Sequence, residues 1–136
     1  VATKSSGASS ASLPTLPGYF TNPVAGGRIT QGLHGKNGID VGAPAGTAVY
    51  AAASGKVTTA FGDGLYHGGY GNYIDIKHDN GTVTRYAHLS SVSVSVGDTV
   101  SQGELIGGVG NTGKVYGATG NHLHFEVHGA KNPLAN

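Results

Sequence analysis

Glycine recurs so often along this chain that no long helix can be built from it. There are 25 glycines among 136 residues, and each one inside a helix costs roughly 1 kcal/mol relative to alanine. Between them lie short runs in which apolar and polar residues alternate, such as Asn72-Tyr73-Ile74-Asp75-Ile76-Lys77 and Val83-Thr84-Arg85-Tyr86-Ala87-His88. Alternation is the period of a strand, because successive side chains point to opposite faces. No sustained 3.6-residue periodicity competes with it. Further strand candidates are Arg28 to Gln31, Ile39 to Val41, Ala48 to Ala52, Gly55 to Ala60 and Leu105 to Gly107, recurring at a spacing of about 8–12 residues. The fold class is therefore all-β, with antiparallel sheets forming a partly open barrel or sandwich.

The chain divides unevenly. Residues 1–12 are rich in Ser, Ala and Gly and read as a disordered linker or tag, because they lack the apolar surface that would offset the entropy of ordering. Residues 13–27, with Pro14, Pro17, Pro23, Leu16, Tyr19 and Phe20, read as an extended N-terminal arm held by its aromatics. Residues 28–136 form the folded domain. A first residue of Val1 rather than methionine suggests a processed or excised piece. Two glycine-rich loops, Phe61 to Gly71 and Gly108 to Gly120, are long enough to carry function. Asp79-Asn80-Gly81 marks a hairpin between the two runs quoted above.

Whole classes of function fall away on composition. A net charge of +1 with 11% charged residues gives no basic footprint for nucleic acid. With no cysteine there is no disulfide, no zinc-thiolate site and no thiol nucleophile. No apolar run reaches the length of a membrane span.

The run Gly120-Asn121-His122-Leu123-His124-Phe125-Glu126-Val127 carries the chemistry. As a strand it puts His122 and His124 on one face and Leu123, Phe125 and Val127 on the other, toward the core. Two imidazoles on one face are either solvated or a metal ligand beside a second working imidazole. Of seven histidines, His34, His88, His122 and His124 lie at strand ends or beside glycine-rich turns, and Asp40 follows His34 by six positions. Two imidazoles and a carboxylate can hold a catalytic zinc and leave one position open for water. Other histidines nearby could move protons, since their unperturbed pKa is close to neutral. His78, beside the hairpin turn, is read as structural. His128 is read as an exposed strand end. His67 is read as solvated, with substrate contact as the alternative.

Several segments resemble, in order, the lysostaphin-like zinc metallopeptidases. These are His34…Gly38-Ile39-Asp40, Ala43-Pro44-Ala45-Gly46-Thr47-Ala48-Val49-Tyr50-Ala51, Gly71-Asn72-Tyr73-Ile74, Tyr86-Ala87-His88-Leu89-Ser90, Gly110-Asn111-Thr112-Gly113 and the His122 strand. The resemblance runs from about Arg28 to Val127. It implies a peptidoglycan endopeptidase in which His34, Asp40 and His124 bind one Zn2+ per chain. His88 and His122 would flank the reactive water and the peptide, either one serving as base. The two glycine-rich loops would wall a groove, with Tyr66, Tyr70 and Tyr116 as candidate substrate contacts. It further implies a monomer acting on bacterial cell wall outside the cytoplasm. Five residues separate His34 from Asp40, where the family usually has three, and Gly35 and Gly38 would let that segment bulge. The competing reading is a catalytically degenerate cell-wall binding or activator module on the same fold. A biotin- or lipoate-carrying domain is disfavoured, because no lysine sits at a suitable hairpin tip and the histidines would be unexplained.

Overall fold

The computed structural model describes residues 19–25, 28–34 as backbone only, 37–112, 121–130 and 132. The linker at 1–12, most of the arm, Tyr116 and the side chain of His34 lie outside the described residues. Among the described residues ten strands follow in order: β1 (Arg28–His34), β2 (Gly38–Gly42), β3 (Ala48–Tyr50), β4 (Gly55–Phe61), β5 (Tyr73–His78), β6 (Val83–Ala87), β7 (Leu89–Val92), β8 (Thr99–Val100), β9 (Leu105–Val109) and β10 (His122–His128). They make a seven-stranded sheet in the order β1-β2-β10-β6-β5-β4-β8 and a three-stranded sheet in the order β3-β9-β7. Every pairing is antiparallel. One 3-10 turn, His67–Gly69, interrupts the loop between β4 and β5. Among the described residues no helix is long and apolar enough to cross a membrane.

Side-chain alternation sorts the large sheet into two faces. Ile39, Val41, Ile74, Ile76, Tyr86, Leu123, Phe125 and Val127 are buried and form one core cluster with Val49, Leu89 and Ile106 of the small sheet. The other face is polar. Register aligns Asp75 with Arg85, Arg85 with Glu126, and Glu126 with Gly38, so one row crosses four strands. The neighbouring row aligns Ala87 with His124 and His124 with Asp40. Residues directly opposite one another share a face, so pairing alone brings Asp40, His124, Glu126, Arg85 and Asp75 together.

The hairpin at Asp79-Asn80-Gly81 forms as expected. His78 N–H donates to Thr82 O at 2.9 Å and Gly81 N–H to His78 O at 3.0 Å. Gly81 sits at φ +87°, the left-handed position that such a three-residue loop requires. His78 is structural but not a turn residue in solvent, being 3% exposed. Its Nδ1–H donates to Ser54 O at 2.7 Å, which leaves Nε2 to accept from the Thr84 hydroxyl at 2.8 Å. Thr84 then accepts from Tyr86 OH, whose oxygen accepts Ala52 N–H. This relay runs in one direction and satisfies every polar atom in it, which is how polar groups survive in a core. Tyr19 and Phe20 meet the His78 ring edge-on, and Thr21 N–H donates to Ala52 O at 2.8 Å.

Strand β1 is irregular ahead of His34. Register steps from Ile29↔Val41 to Gln31↔Asp40 to His34↔Gly38, so β1 carries one extra residue at each step. Such irregularities bend a strand and re-aim it. Asn37, at φ +60°, closes the hairpin, and its Nδ2 donates to Val127 O and Ala130 O of the β10 end.

Candidate active site and metal centre

Asp40 and His124 face each other across the β2–β10 pairing, with Asp40 Oδ1 2.9 Å from His124 Nδ1. His122 Nε2 lies 3.6 Å from Asp40 Oδ2, longer than a hydrogen bond. His88 completes the cluster, its ring centroid 5.2 Å from that of His122 and 5.8 Å from that of His124. All four are buried. Four of the five expected metal-binding and catalytic residues are thus together. The fifth, His34, is placed only by its backbone, opposite Gly38 in the row beside Asp40.

His88 is brought there by a break in the strand. β6 ends at Ala87, and His88 takes φ +62° as the chain leaves the large sheet for β7 of the small one. A non-glycine residue in that region is uncommon and needs surrounding support. Asn72 supplies much of it. Its Oδ1 accepts Gly64 N–H at 2.7 Å, its Nδ2 donates to Leu89 O at 3.1 Å, and its carbonyl accepts Leu89 N–H at 3.0 Å. Its own N–H donates to Thr112 Oγ1, and His88 Nδ1–H donates to Thr112 O at 2.7 Å. The backbone carbonyl therefore selects the tautomer, leaving His88 Nε2 as an acceptor. Burial pushes the His88 pKa down to about 4. Repulsion from His122 and His124 adds to that effect, and the Thr112 carbonyl and Asp40 oppose it.

The remaining polar residues form a support behind His124. Its Nε2 lies 2.8 Å from Glu126 Oε2, which also accepts the Tyr70 hydroxyl at 2.9 Å, while Glu126 Oε1 takes His128 Nε2 at 2.8 Å. His128 is therefore not the exposed strand end expected from sequence; it is half-buried and tied to a buried carboxylate. Arg85 makes a two-point pair with Asp75 at 2.7 and 2.8 Å and lies against the Tyr70 and Tyr73 rings. Burial opposes charge on both His124 and Glu126, but their mutual hydrogen bond and their other partners outweigh it. The His124 pKa rises to about 9 and that of Glu126 falls to about 2. A protonated His124 bridges Asp40 and Glu126 with both ring N–H groups.

The donor set suits zinc as far as it is described. Two donors on one tetrahedral zinc stand about 3.3 Å apart, given bonds of about 2.0–2.1 Å. The Asp40–His124 pair is within a few tenths of an ångström of that. Held there, a cation would take the place of the Nδ1 proton, and Nε2–H would stay on Glu126. Among the described residues no three His, Asp or Glu side chains surround one metal-sized point. The third expected donor, His34, is outside that set.

The candidate substrate contacts separate. Tyr66 is exposed on the β4–β5 loop. Tyr70 is half-buried with its hydroxyl on Glu126, and Tyr116 is not described. His67 is not simply solvated, since it pairs with Asp63 at 2.7 Å and stacks on Phe61 at 3.9 Å between ring centroids. Sequence reasoning passed over Glu126, although period-two alternation puts it on the face of His122 and His124. It also gave no role to Asn72 and Thr112, although both lie in segments that carried the resemblance.

The model for peptidase family M23 matches residues 34–136. The DD-carboxypeptidase/endopeptidase Mpg of Neisseria meningitidis serogroup B is 46% identical over 110 residues, covering 81% of this chain but 23% of the relative. A zinc-containing peptidase from Vibrio cholerae superposes with a TM-score of 0.65 at 33% identity, over 90% of this chain and 37% of that one. The catalytic domain of lysostaphin from Staphylococcus simulans does so with a TM-score of 0.59 at 33% identity, over 77% of this chain and 80% of the domain. The chain thus spans about a quarter of the length of the curated relative it matches. With the family model covering both the Asp40 strand and the His122 strand, this chain belongs to peptidase family M23, a family of zinc metallopeptidases.

Proposed function

We propose that the chain is a zinc-dependent endopeptidase that hydrolyses peptide bonds in the stem peptides or crossbridges of bacterial peptidoglycan. The carrying observation is the cluster in which Asp40 Oδ1 and His124 Nδ1 stand 2.9 Å apart with two further buried imidazoles against them. Asp40, His124 and His34 would hold one zinc. Zinc supplies Lewis acidity that polarises the scissile carbonyl and makes water acidic enough to lose a proton near neutral pH. His88, neutral at that pH and with Nε2 left as the acceptor, accepts a proton and hands it to the leaving amine. The Thr112 carbonyl steadies the imidazolium formed in between. His122, whose Nε2 lies 3.6 Å from Asp40 Oδ2, donates to the oxygen on which negative charge develops. Tyr66 and Tyr70, on the β4–β5 loop, line the approach for the peptide. The protein acts as a monomer, outside the cytoplasm where its substrate is.

The test is digestion of purified cell walls by zinc-reconstituted protein, with mass analysis of the soluble fragments. The expected result is fragments that have gained one water at a peptide bond, absent when Asp40→Ala is used, which also fails to hold zinc. Intact walls after treatment with protein that holds zinc would overturn the enzyme and leave the binding module. Activity retained in Asp40→Ala would overturn the ligand assignment.

A further inference from the structure

We infer that Glu126 is a positioning residue for His124. It fixes which imidazole nitrogen faces the metal position, and Gly38 leaves the space in which the ring must lie. This deepens the proposed function and rests on its assignment of His124 as a metal ligand.

An imidazole offers two nitrogens, and a metal can take either. The choice is set by the hydrogen bond made at the other. Glu126 sits two residues beyond His124 on β10, hence on the same face, and its Oε2 is 2.8 Å from His124 Nε2. A carboxylate there holds the proton on Nε2 and commits Nδ1 to the side of Asp40. Glu126 is itself immobilised. It is 1% exposed, Oε2 accepts from Tyr70 OH at 2.9 Å, and Oε1 is 2.8 Å from His128 Nε2. Tyr70 in turn lies over Arg85, which Asp75 grips at two points. The support thus extends across β10, β6 and β5 without involving Asp40.

Gly38 supplies the second half. It is opposite Glu126 in register, and a Cβ built on it would lie 2.4 Å from His124 Cε1, 2.7 Å from Nε2 and 3.1 Å from Glu126 Cγ. Real Cβ atoms do not approach so closely, and the ring edge that would collide is the one hydrogen-bonded to Glu126. Any side chain at 38 must push His124 off its partner. The glycine is needed for this close approach and not for a left-handed turn, because its φ is ordinary.

The test compares wild type with Glu126→Gln, Glu126→Ala, Tyr70→Phe and Gly38→Ala. It reads affinity for zinc by chelator competition, the visible spectrum of the cobalt(II) form, and long-range 1H–15N spectra of the histidine rings in the zinc form. Wild type should show His124 protonated at Nε2 and metallated at Nδ1. Glu126→Ala should weaken zinc roughly 10–100-fold. Glu126→Gln, whose amide oxygen still accepts the Nε2 proton, should recover part of that loss, and Tyr70→Phe should lose least. Gly38→Ala should perturb the cobalt spectrum as Glu126→Ala does. Should Glu126→Ala prove unfolded by circular dichroism, Glu126→Gln and Tyr70→Phe decide, since both keep side-chain volume. Wild-type affinity in every folded variant, or metallation of His124 at Nε2, overturns the inference while leaving a zinc site in being. Wild-type protein that takes up no zinc overturns the proposed function, and the inference falls with it.

Discussion

At the scale of single residues, division of labour among the histidines is what the site displays. His124 lies between two carboxylates, His88 is pinned at one nitrogen by a carbonyl, and His78 takes part in no chemistry at all. Replacing His122 by alanine should therefore leave zinc stoichiometry unchanged by elemental analysis, while lowering kcat on cell-wall fragments about 100–10,000-fold. Loss of zinc in that variant would mean the roles of His122 and His124 are exchanged. His78 makes a different prediction. Burial holds its pKa below the usual 6.5, so the unfolded chain binds a proton there more readily than the folded one. Its contribution is intact above about pH 6.5 and is lost as pH falls below that. His78→Asn, which keeps a donor for Ser54 O, should flatten the decline in unfolding free energy between pH 7 and 5, measured by urea titration of the metal-free protein. The two-faced character of the His122 strand was legible from alternation alone. The company kept by Glu126 was not, because the Tyr70 hydroxyl reaches it from a loop 56 residues away in the chain.

Among elements, pairing register explains more than propensity does. β2 and β10 place Asp40 opposite His124 because both strands have one apolar face to bury, and a slip of one residue would turn both side chains into the core. That much could be read from the runs Ile39-Asp40-Val41 and Leu123-His124-Phe125. The register shifts in β1 could not, since an extra residue in a strand leaves no compositional mark. Nor could the coupling of the β4–β5 loop to His88, which depends on one asparagine, side chain and backbone together, meeting partners from residues 64, 89 and 112. Asn72→Ala removes two of those hydrogen bonds in a buried setting. It should reduce stability by about 1–3 kcal/mol, read from thermal or denaturant unfolding. It should also raise amide exchange at Gly64, whose N–H loses its acceptor, and lower kcat more than it raises KM, because His88 loses its support. Unchanged exchange at Gly64 would count against this.

Taken as a whole, the described part of the molecule is two antiparallel sheets closed over one apolar core, with Asp40, Asp75, Arg85, His124 and Glu126 gathered on the outer face of the larger sheet. The all-β class followed from glycine frequency and alternation. Division into seven and three strands did not, because His88, where the chain crosses from one sheet to the other, is not a turn-type residue. A ligand bound only by the folded state stabilises it by mass action, about 2.7 kcal/mol at a concentration 100-fold above Kd. Removing zinc with a chelator should thus lower Tm by several degrees and abolish wall digestion, and zinc should restore both. An unchanged Tm after verified metal removal would argue that no ion bridges the strands.

Asp40, His122 and His124 stand on interior strands, β2 and β10, whose backbones are paired on both sides. Residues 62–71, by contrast, are fastened near their two ends, at Gly64 through the Asn72 side chain and at Tyr70 through His88 N–H. Bond cleavage and bond choice are therefore separable inheritances. Under the proposed function, a lineage, or an engineer, could exchange the segment between those two fastenings to suit a new wall chemistry while the strands beneath carried the same reaction forward unaltered.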